Sequence, residues 1–328
     1  MAIMNNIEAL RETLRIEMER DPRIIITGED VGPRGGVFRA TMGLHQQFGE
    51  KRVMDTPLAE LSIVATGIGM ALTGYFKPIV EIQFADFIFP AFNQILSEAA
   101  RMRYRTRSTW TVPLIIRAPY GGGISGGLYH SQSVEAFFAH IPGLYVVAPT
   151  TPYDIKGMLR ASLQVEDPVI FFEHKKTYRL IKGEVPEEDY IVPFGKAAMR
   201  REGDDLTVIS YGLAMHDAVK AADLLTAEGI SADVLDLRSL RPLDEVAILE
   251  SVKKTGKVLI VHEDNPTVSL GSEIAAIIGE QAFEYLDAPI TRLTPPDVPA
   301  VPFSHPIQDA FMLNPDKIAT AMRKLAAY

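Results

Sequence analysis

Cysteine is absent from the 328 residues. Its absence excludes disulfides, thiolate catalysis and cysteine-ligated metal sites, and it fits a reducing cytoplasm as the expected location. The chain also lacks a basic surplus, since its net charge is −9. Nucleic-acid binding needs a basic surface, so it is not expected. No apolar run reaches the roughly 18 residues of a membrane-spanning helix, and the N-terminal stretch has no signal-peptide core.

Common catalytic signatures are missing as well. The sequence contains neither the G-x-S-x-G turn of α/β-hydrolases nor the G-K-[S/T] of a phosphate-binding P-loop. Its seven histidines show no H-x-x-x-H or H-E-x-x-H spacing, so no metal site is expected.

Alternating strands and helices dominate what is present. Apolar, β-branched stretches such as "RIIITGEDVG", "KPIVEIQF" and "VPLIIRAPY" alternate with helical segments, which is typical of a parallel sheet covered on both faces. A polar stretch with two prolines, residues 185–203, precedes a second set of the same kind. The sequence therefore predicts an α/β fold with two domains, residues 1–184 and 204–328, joined by a linker over 185–203.

Predictions are specific at the two ends of the chain. Apolar residues at helical spacing predict an amphipathic first helix with Ile7, Leu10, Leu14 and Met18 on one face. The Pro-rich stretch "LTPPDVPAVPFSHPIQ" is expected to be loop, and "NPDKIATAMRKLAAY" is expected to be a closing helix.

One carboxyl group, Glu60, lies inside the otherwise apolar stretch "DTPLAELSIVATGIGMAL". With Thr56 as N-cap and Pro57 as the first helical residue, a capping-box glutamate belongs at Ala59, so that motif is excluded. Two interpretations stay open. Glu60 is either a first-turn acid that interacts with the helix dipole, or a carboxyl group in a dry pocket that passes a proton to a ring nitrogen.

The loop "YGGGISGGLYHSQS" has five glycines and leads into His130. It matches G-x-G-x-x-G, but no helix opens there and the next strand lacks the acidic residue of a dinucleotide site. A flexible surface loop is the alternative; the glycine-rich setting favours an active-site loop. His140 and His174 fit structural roles.

An aromatic stretch, "IQFADFIFPAFNQ", is most simply core. Within it, Phe87 and Gln83 would also suit a pocket for a flat ring, with stacking on one face and an amide nearby. The basic run "RMRYRTRS" fits either a solvated helix face or a contact with an acidic subunit.

Many motifs, in the same order, resemble the β subunit of the thiamine diphosphate-dependent decarboxylase component of 2-oxo acid dehydrogenase complexes. The matching strings span the chain: "GEDVGPRGGVF", "RVMDTPLAE", "EIQFADFIFPAFNQ", "RAPYGGG", "YHSQSVEAFFAHIPGL", "TTPYDIKG", "FFEHKKTYRLIKGEVP" and "VLDLRSLRPLD". The last-but-one string and the Pro-rich tail are most similar to the branched-chain (2-oxoisovalerate) type. Pyruvate and acetoin types are close relatives and stay open.

The resemblance implies a pyrimidine-binding domain followed by a transketolase C-terminal-like domain. It also implies an α2β2 heterotetramer, which decarboxylates 2-oxo acids and acylates lipoyl groups on a dihydrolipoyl acyltransferase core. In this family the α subunit carries a G-D-G motif with a later Asn and holds Mg2+ and the diphosphate. That motif is missing here. A mainly structural docking subunit and a two-chain transketolase-like synthase are the alternatives.

The resemblance also implies roles for individual residues. Glu60 matches the glutamate that hydrogen-bonds the aminopyrimidine ring and favours a proton on it. Leu58 and Gln83 match pocket-lining positions, and Phe87 matches an aromatic that packs on the pyrimidine, where branched-chain relatives often carry Tyr.

Two further residues have implied roles. His130 matches a histidine that assists the intermediate or the lipoyl transfer, and Glu29 matches an acid on a proton path between sites. Some relatives hold a structural K+ near "TVPLII"; Val165 replaces one acidic ligand here, so this ion stays an open alternative.

Overall fold

The computed structural model describes all 328 residues, which form two compact units. Unit one comprises residues 1–120 and 137–194, and unit two comprises residues 121–136 and 195–328. The segment 121–136 therefore belongs to unit two, although it lies in sequence between strands of unit one. The division into domains 1–184 and 204–328 with a linker is kept as a proposal. None of the helices is long and apolar enough to cross a bilayer.

Unit one is an α/β unit whose elements alternate along the chain. Its strands are β1 (Ala2–Asn5), β2 (Ile24–Gly28), β3 (Val53–Asp55), β4 (Lys77–Glu81), β5 (Ile115–Tyr120), β6 (Tyr145–Val147), β7 (Val169–His174) and β8 (Lys182–Val185). Its helices are α1 (Asn6–Arg20), α2 (Leu44–Phe48), α3 (Glu60–Leu72), α4 (Met102–Arg105), α5 (Glu135–Ala139), α6 (Pro152–Ser162) and α7 (Thr177–Leu180), of which α5 begins in unit two. Before α4 come 3-10 turns at Ala85–Phe87 and Phe89–Ala91 and a π-helical turn at Gln94–Ala99.

The main sheet of unit one is parallel, in the order β3-β2-β4-β5-β7-β6. Every residue of β2, β5 and β7 is buried, as expected for strands covered on both faces. From β2 the chain first adds β3 on one side and then β4 on the other. The strand order thus reverses between β2 and β4, and ligands of such sheets bind outside the carboxyl ends of the strands at this reversal.

Helix α1 confirms the predicted first helix. The four residues predicted for its inner face are at most 5% exposed and lie in the core of unit one: Ile7, Leu10, Leu14 and Met18. A capping box fixes its start, because the Asn5 side chain accepts from the Glu8 N–H and the Glu8 carboxylate accepts from the Asn5 N–H.

Unit two repeats the α/β pattern. Its strands are β9 (Ala198–Arg201), β10 (Leu206–Ser210), β11 (Ala232–Asp236), β12 (Ser239–Arg241), β13 (Val258–Val261) and β14 (Thr291–Leu293). Its helices are α8 (Gly212–Thr226), α9 (Glu245–Thr255), α10 (Leu270–Gln281), α11 (His305–Phe311) and α12 (Pro315–Ala326), and α12 is the predicted closing helix. The sheet order is β14-β13-β10-β11-β9 with only β9 antiparallel, so the order reverses between β10 and β13.

Two local predictions are wrong. Helix α3 begins at Glu60 with Ala59 as N-cap, not at Pro57, because the Thr56 N–H donates to the Gly28 carbonyl at 3.0 Å and prolongs the pairing beyond β3. The Pro-rich tail is not loop throughout, since its last part forms α11. Proline is compatible there because it lies in the first helical turn, where its missing N–H has no helical partner to lose.

Candidate active site

The predicted cofactor-binding residues of unit one lie where neighbouring parallel strands end. Glu29 directly follows β2, Gln83 follows β4 after one residue, and Glu60 follows β3 after residues 56–59. Because β2 lies between β3 and β4, these three residues share one edge of the sheet. This edge contains the strand-order reversal, which is the usual ligand position in a doubly wound sheet.

Contacts bring these residues together. The Gln83 side-chain amide donates to the Glu29 carbonyl at 3.4 Å. Burial raises the pKa of Glu29, and the nearby charges of Asp30 and Glu60 raise that pKa further. Glu29 and Glu60 are therefore close enough to interact electrostatically.

Glu60 is half-buried in the first turn of α3, and no hydrogen bond from the chain reaches its carboxylate. The structure thus places it where the dipole interaction operates and where a ligand N–H has an acceptor. The neighbouring Leu58 is 71% exposed, and Phe87 is half-buried in edge-to-face contact with Phe84 at 5.8 Å between ring centroids. A half-buried carboxylate that accepts no hydrogen bond from the chain suits a ligand with N–H groups. The exposed Leu58 and the half-buried Phe87 offer apolar surface of the kind that binds a flat heteroaromatic ring.

A buried ion cluster lies behind this edge, and sequence reasoning missed it. Arg117 on β5 is fully buried and donates from Nε and Nη2 to the Glu173 carboxylate at 2.6 and 2.7 Å, while Nη1 donates to Glu81. The Tyr178 hydroxyl donates to Glu173 as well. Burial raises the pKa of Glu81 although Arg117 opposes this. Glu81 ends β4 two residues before Gln83, so the cluster fixes the backbone from which Gln83 projects.

His130 lies in unit two, in the glycine-rich loop, which we define as residues 121–131. It is half-buried and follows the 3-10 turn Gly127–Tyr129. Gly121 and Gly123 have φ of +84° and +81°, a region that favours glycine. The Gly121 N–H donates to the Gln132 carbonyl at 2.9 Å, which closes the base of the loop. Unit one thus carries the predicted pyrimidine-contacting residues, and unit two carries His130.

A second buried acid, Glu135, was also missed from the sequence. It is fully buried at the start of α5; Oε1 accepts from the Tyr211 hydroxyl at 2.8 Å, and Oε2 has no partner. Burial raises its pKa to about 8, and the charge of Asp264 adds to this effect. The pKa of Asp264 is itself raised to about 6, mainly by burial. The raised pKa therefore shifts Glu135 toward its protonated form.

We expect Glu135→Gln to reduce the pH dependence of stability. The folded chain prefers the protonated acid, so its stabilising effect is complete at acidic pH and is lost as pH rises toward about 8. At about 1.4 kcal/mol per pH unit, the loss amounts to a few kcal/mol between pH 5 and 8. Melting temperatures across this range should fall less steeply for Glu135→Gln than for the wild type. The exposed acid variant Glu280→Gln should keep the wild-type slope; an unchanged slope in Glu135→Gln would contradict the assignment.

Comparisons with known proteins agree with this architecture. Residues 3–181 match the family described as "Transketolase, pyrimidine binding domain", and residues 195–318 match "Transketolase, C-terminal domain". The chain is 58% identical over 328 residues to "2-oxoisovalerate dehydrogenase subunit beta" of Bacillus subtilis (strain 168), covering 100% of both. It is 46% identical to "Pyruvate dehydrogenase E1 component subunit beta" of Acholeplasma laidlawii, covering 99% of each.

A solved structure gives the same result at the level of fold. The one named "Split gene transketolase, inactive beta4 tetramer" matches with a TM-score of 0.79 at 22% identity, covering 99% of this chain and 98% of that one. No group of three or more His, Asp or Glu residues that could hold a metal ion occurs in the chain. The two family matches and the full-length relatives confirm the resemblance and the α/β fold class. The chain belongs to the β subunits of the thiamine diphosphate-dependent 2-oxo acid dehydrogenases.

Proposed function

We propose that this chain is the β subunit of a branched-chain 2-oxo acid dehydrogenase, active only with an α subunit in an α2β2 heterotetramer. The assembled enzyme decarboxylates 2-oxo acids oxidatively and transfers the acyl group to lipoyl groups of a dihydrolipoyl acyltransferase. The observation that carries the substrate class is the 58% identity to a 2-oxoisovalerate dehydrogenase subunit, against 46% and 43% to two pyruvate dehydrogenase subunits.

The edge formed by β3, β2 and β4 fits the aminopyrimidine half of thiamine diphosphate. Glu60 would accept a hydrogen bond from the ring and hold a proton there, while Leu58, Gln83 and Phe87 would line the pocket. Bound thiamine diphosphate supplies the carbon nucleophile and the electron sink for decarboxylation. The α subunit would hold the diphosphate and Mg2+, since this sequence has no G-D-G motif. A structural K+ remains an alternative only.

The remaining two residues would handle protons and the later transfer. Glu29 interacts electrostatically with Glu60, and burial raises the pKa of Glu29, as is common for acids that take part in proton transfer. His130 would assist acyl transfer to the lipoyl group. A docking surface for the acyltransferase on this subunit belongs to the same proposal.

Reconstitution with an α subunit tests the proposal. Turnover would be measured as decarboxylation of 2-oxoisovalerate and pyruvate and as carbon–carbon bond cleavage of acetoin, for the β chain alone, the α chain alone and both together. We expect turnover only with both chains and the highest kcat/KM on 2-oxoisovalerate. A preference for pyruvate or acetoin would favour the related subunit types, and turnover by the β chain alone would overturn the shared site.

A further inference from the structure

Side chains of unit two hold the glycine-rich loop along its length. The Gly122 N–H donates to the Glu263 carboxylate. The Ser125 N–H donates to Oε1 of Gln308 at 2.8 Å, and the Ser125 hydroxyl lies 3.1 Å from Nδ1 of His305. These partners come from the stretch after β13 and from α11. The loop that carries His130 is therefore attached to the C-terminal part of the chain.

Gln308 differs from the other partners because it is only 3% exposed, although it lies on a helix whose neighbouring positions face solvent. Its acceptor serves a residue in an unusual conformation, since Ser125 has φ of +57° without being glycine. Left-handed backbone is unfavourable for a side-chain-bearing residue and persists only where surrounding contacts hold it. The bond from Ser125 to Gln308 is such a contact.

Close packing leaves the loop little freedom to settle elsewhere. A Cβ on Gly122 would lie 2.9 Å from Sδ of Met312, and a Cβ on Gly127 would lie 2.9 Å from Cδ2 of Phe303. Both distances are shorter than real Cβ contacts, so the backbone lies directly against the tail of the chain. The loop therefore packs closely against the segment 303–312.

A tightly packed turn connects Ser125 to His130. Gly126 follows Ser125, and a Cβ on Gly126 would lie 2.7 Å from the His130 carbonyl oxygen and 2.8 Å from its Cβ. The backbone of Gly126 therefore packs directly against His130, with no room for a side chain between them. A shift of Ser125 would move Gly126 and, with it, the backbone of His130.

We propose that Gln308 is a positioning residue for His130: by holding Ser125 it sets the turn that orients the imidazole. This inference rests on the proposed function of His130 and extends it, because it assigns control of that residue to α11. A positioning residue acts on the rate of the step that uses His130 and leaves binding of the 2-oxo acid unchanged.

The test uses the chain assembled with its α subunit and compares Gln308→Met, Gln308→Glu and Asp309→Ala. Methionine keeps length and helix propensity but removes the acceptor, glutamate restores an acceptor oxygen, and Asp309 is an exposed neighbour on the same helix. We expect Gln308→Met to speed hydrogen exchange at the Ser125 amide by on the order of tenfold. Acyl transfer to lipoamide should slow by a similar factor, with KM for the 2-oxo acid unchanged. Gln308→Glu should restore most of both, and Asp309→Ala should match the wild type.

Each other outcome counts against the proposal. The proposal is overturned if Gln308→Met leaves hydrogen exchange at the Ser125 amide unchanged. It is also overturned if exchange becomes faster while acyl transfer to lipoamide keeps its wild-type rate. If Gln308→Met does not fold, Gln308→Asn serves instead, because its side chain is one methylene shorter and moves the acceptor oxygen away from Ser125. This variant must also give faster exchange at the Ser125 amide and slower acyl transfer. His130→Asn separates the two claims: wild-type rates in that variant overturn the role of His130 and the positioning claim together. A loss in His130→Asn that Gln308→Met does not share overturns the positioning claim alone.

Discussion

Glu60→Gln is expected to lower kcat of the assembled enzyme by at least about 100-fold, the usual minimum for loss of a proton-transferring group. The substitution keeps shape and hydrogen-bonding capacity but removes the group that would hold a proton on the cofactor ring. Folding should be nearly unaffected, because no hydrogen bond of the chain depends on this carboxylate. The favourable helix-dipole interaction is lost, which is about 0.3–1 kcal/mol, and the repulsion between Glu60 and Glu29 is relieved. Steady-state decarboxylation and thermal unfolding measure the two effects.

The matched control is Glu245→Gln. Glu245 is the first residue of α9, as Glu60 is the first residue of α3, so both variants lose the same kind of dipole interaction. Glu245→Gln should therefore show the small stability change without the loss of rate. Equal rates in the two variants would leave Glu60 with the dipole role alone and remove it from the proposed chemistry.

Arg117→Met should cause the largest loss of stability, on the order of 3–5 kcal/mol. Arg117 is fully buried between Glu81 and Glu173, so its removal leaves two carboxylates without their counter-charge in a dry interior. The melting temperature should fall by several degrees, since 1 kcal/mol shifts it by about 2–4 °C for 150–250 residues and by less for a chain of 328. Differential scanning calorimetry of the full chain measures it.

Two further variants test whether the burial of charge causes this loss of stability. Arg323→Met breaks an exposed pair with Glu228 that solvent screens, so the melting temperature should stay close to that of the wild type. Adding Glu81→Gln to Arg117→Met should recover part of the loss, because one uncompensated buried charge disappears. Equal melting temperatures for Arg117→Met and Arg323→Met would show that burial of charge is not the cause. A double variant, Arg117→Met with Glu81→Gln, that is less stable than Arg117→Met would show the same.

The sequence predicted what depends on neighbours along the chain. The spacing of Ile7, Leu10, Leu14 and Met18 specified α1 and its buried face, and alternating strands and helices specified the α/β class. The start of α3 could not be predicted. It depends on a hydrogen bond from the Thr56 N–H to the carbonyl of Gly28 in β2. Local helix propensity cannot predict a bond to a residue this far away in sequence.

The candidate site shows the same limit. Glu60 and Gln83 were proposed from local motifs, and the structure places both at one edge of the sheet with Glu29. The partnership of Glu81, Arg117 and Glu173 was not proposed, because its members belong to three strands whose order the sequence does not state. A signal was present, since each of these charges lies in an otherwise apolar strand and must be paired if it is buried.

The position of segment 121–136 has a consequence for biosynthesis. A ribosome completes this segment before any residue of the stretch 195–328 exists, yet its hydrogen-bond partners Tyr211, Glu263 and Gln308 all lie in that later stretch. N-terminal parts of a chain begin to fold first during synthesis. The sheet of unit one can therefore form around an insertion that has nothing yet to hold it. A nascent or C-terminally truncated chain would present Glu60 on a folded sheet and His130 on a loop without its partners. His130 would therefore be the last of the proposed site residues to reach its final position.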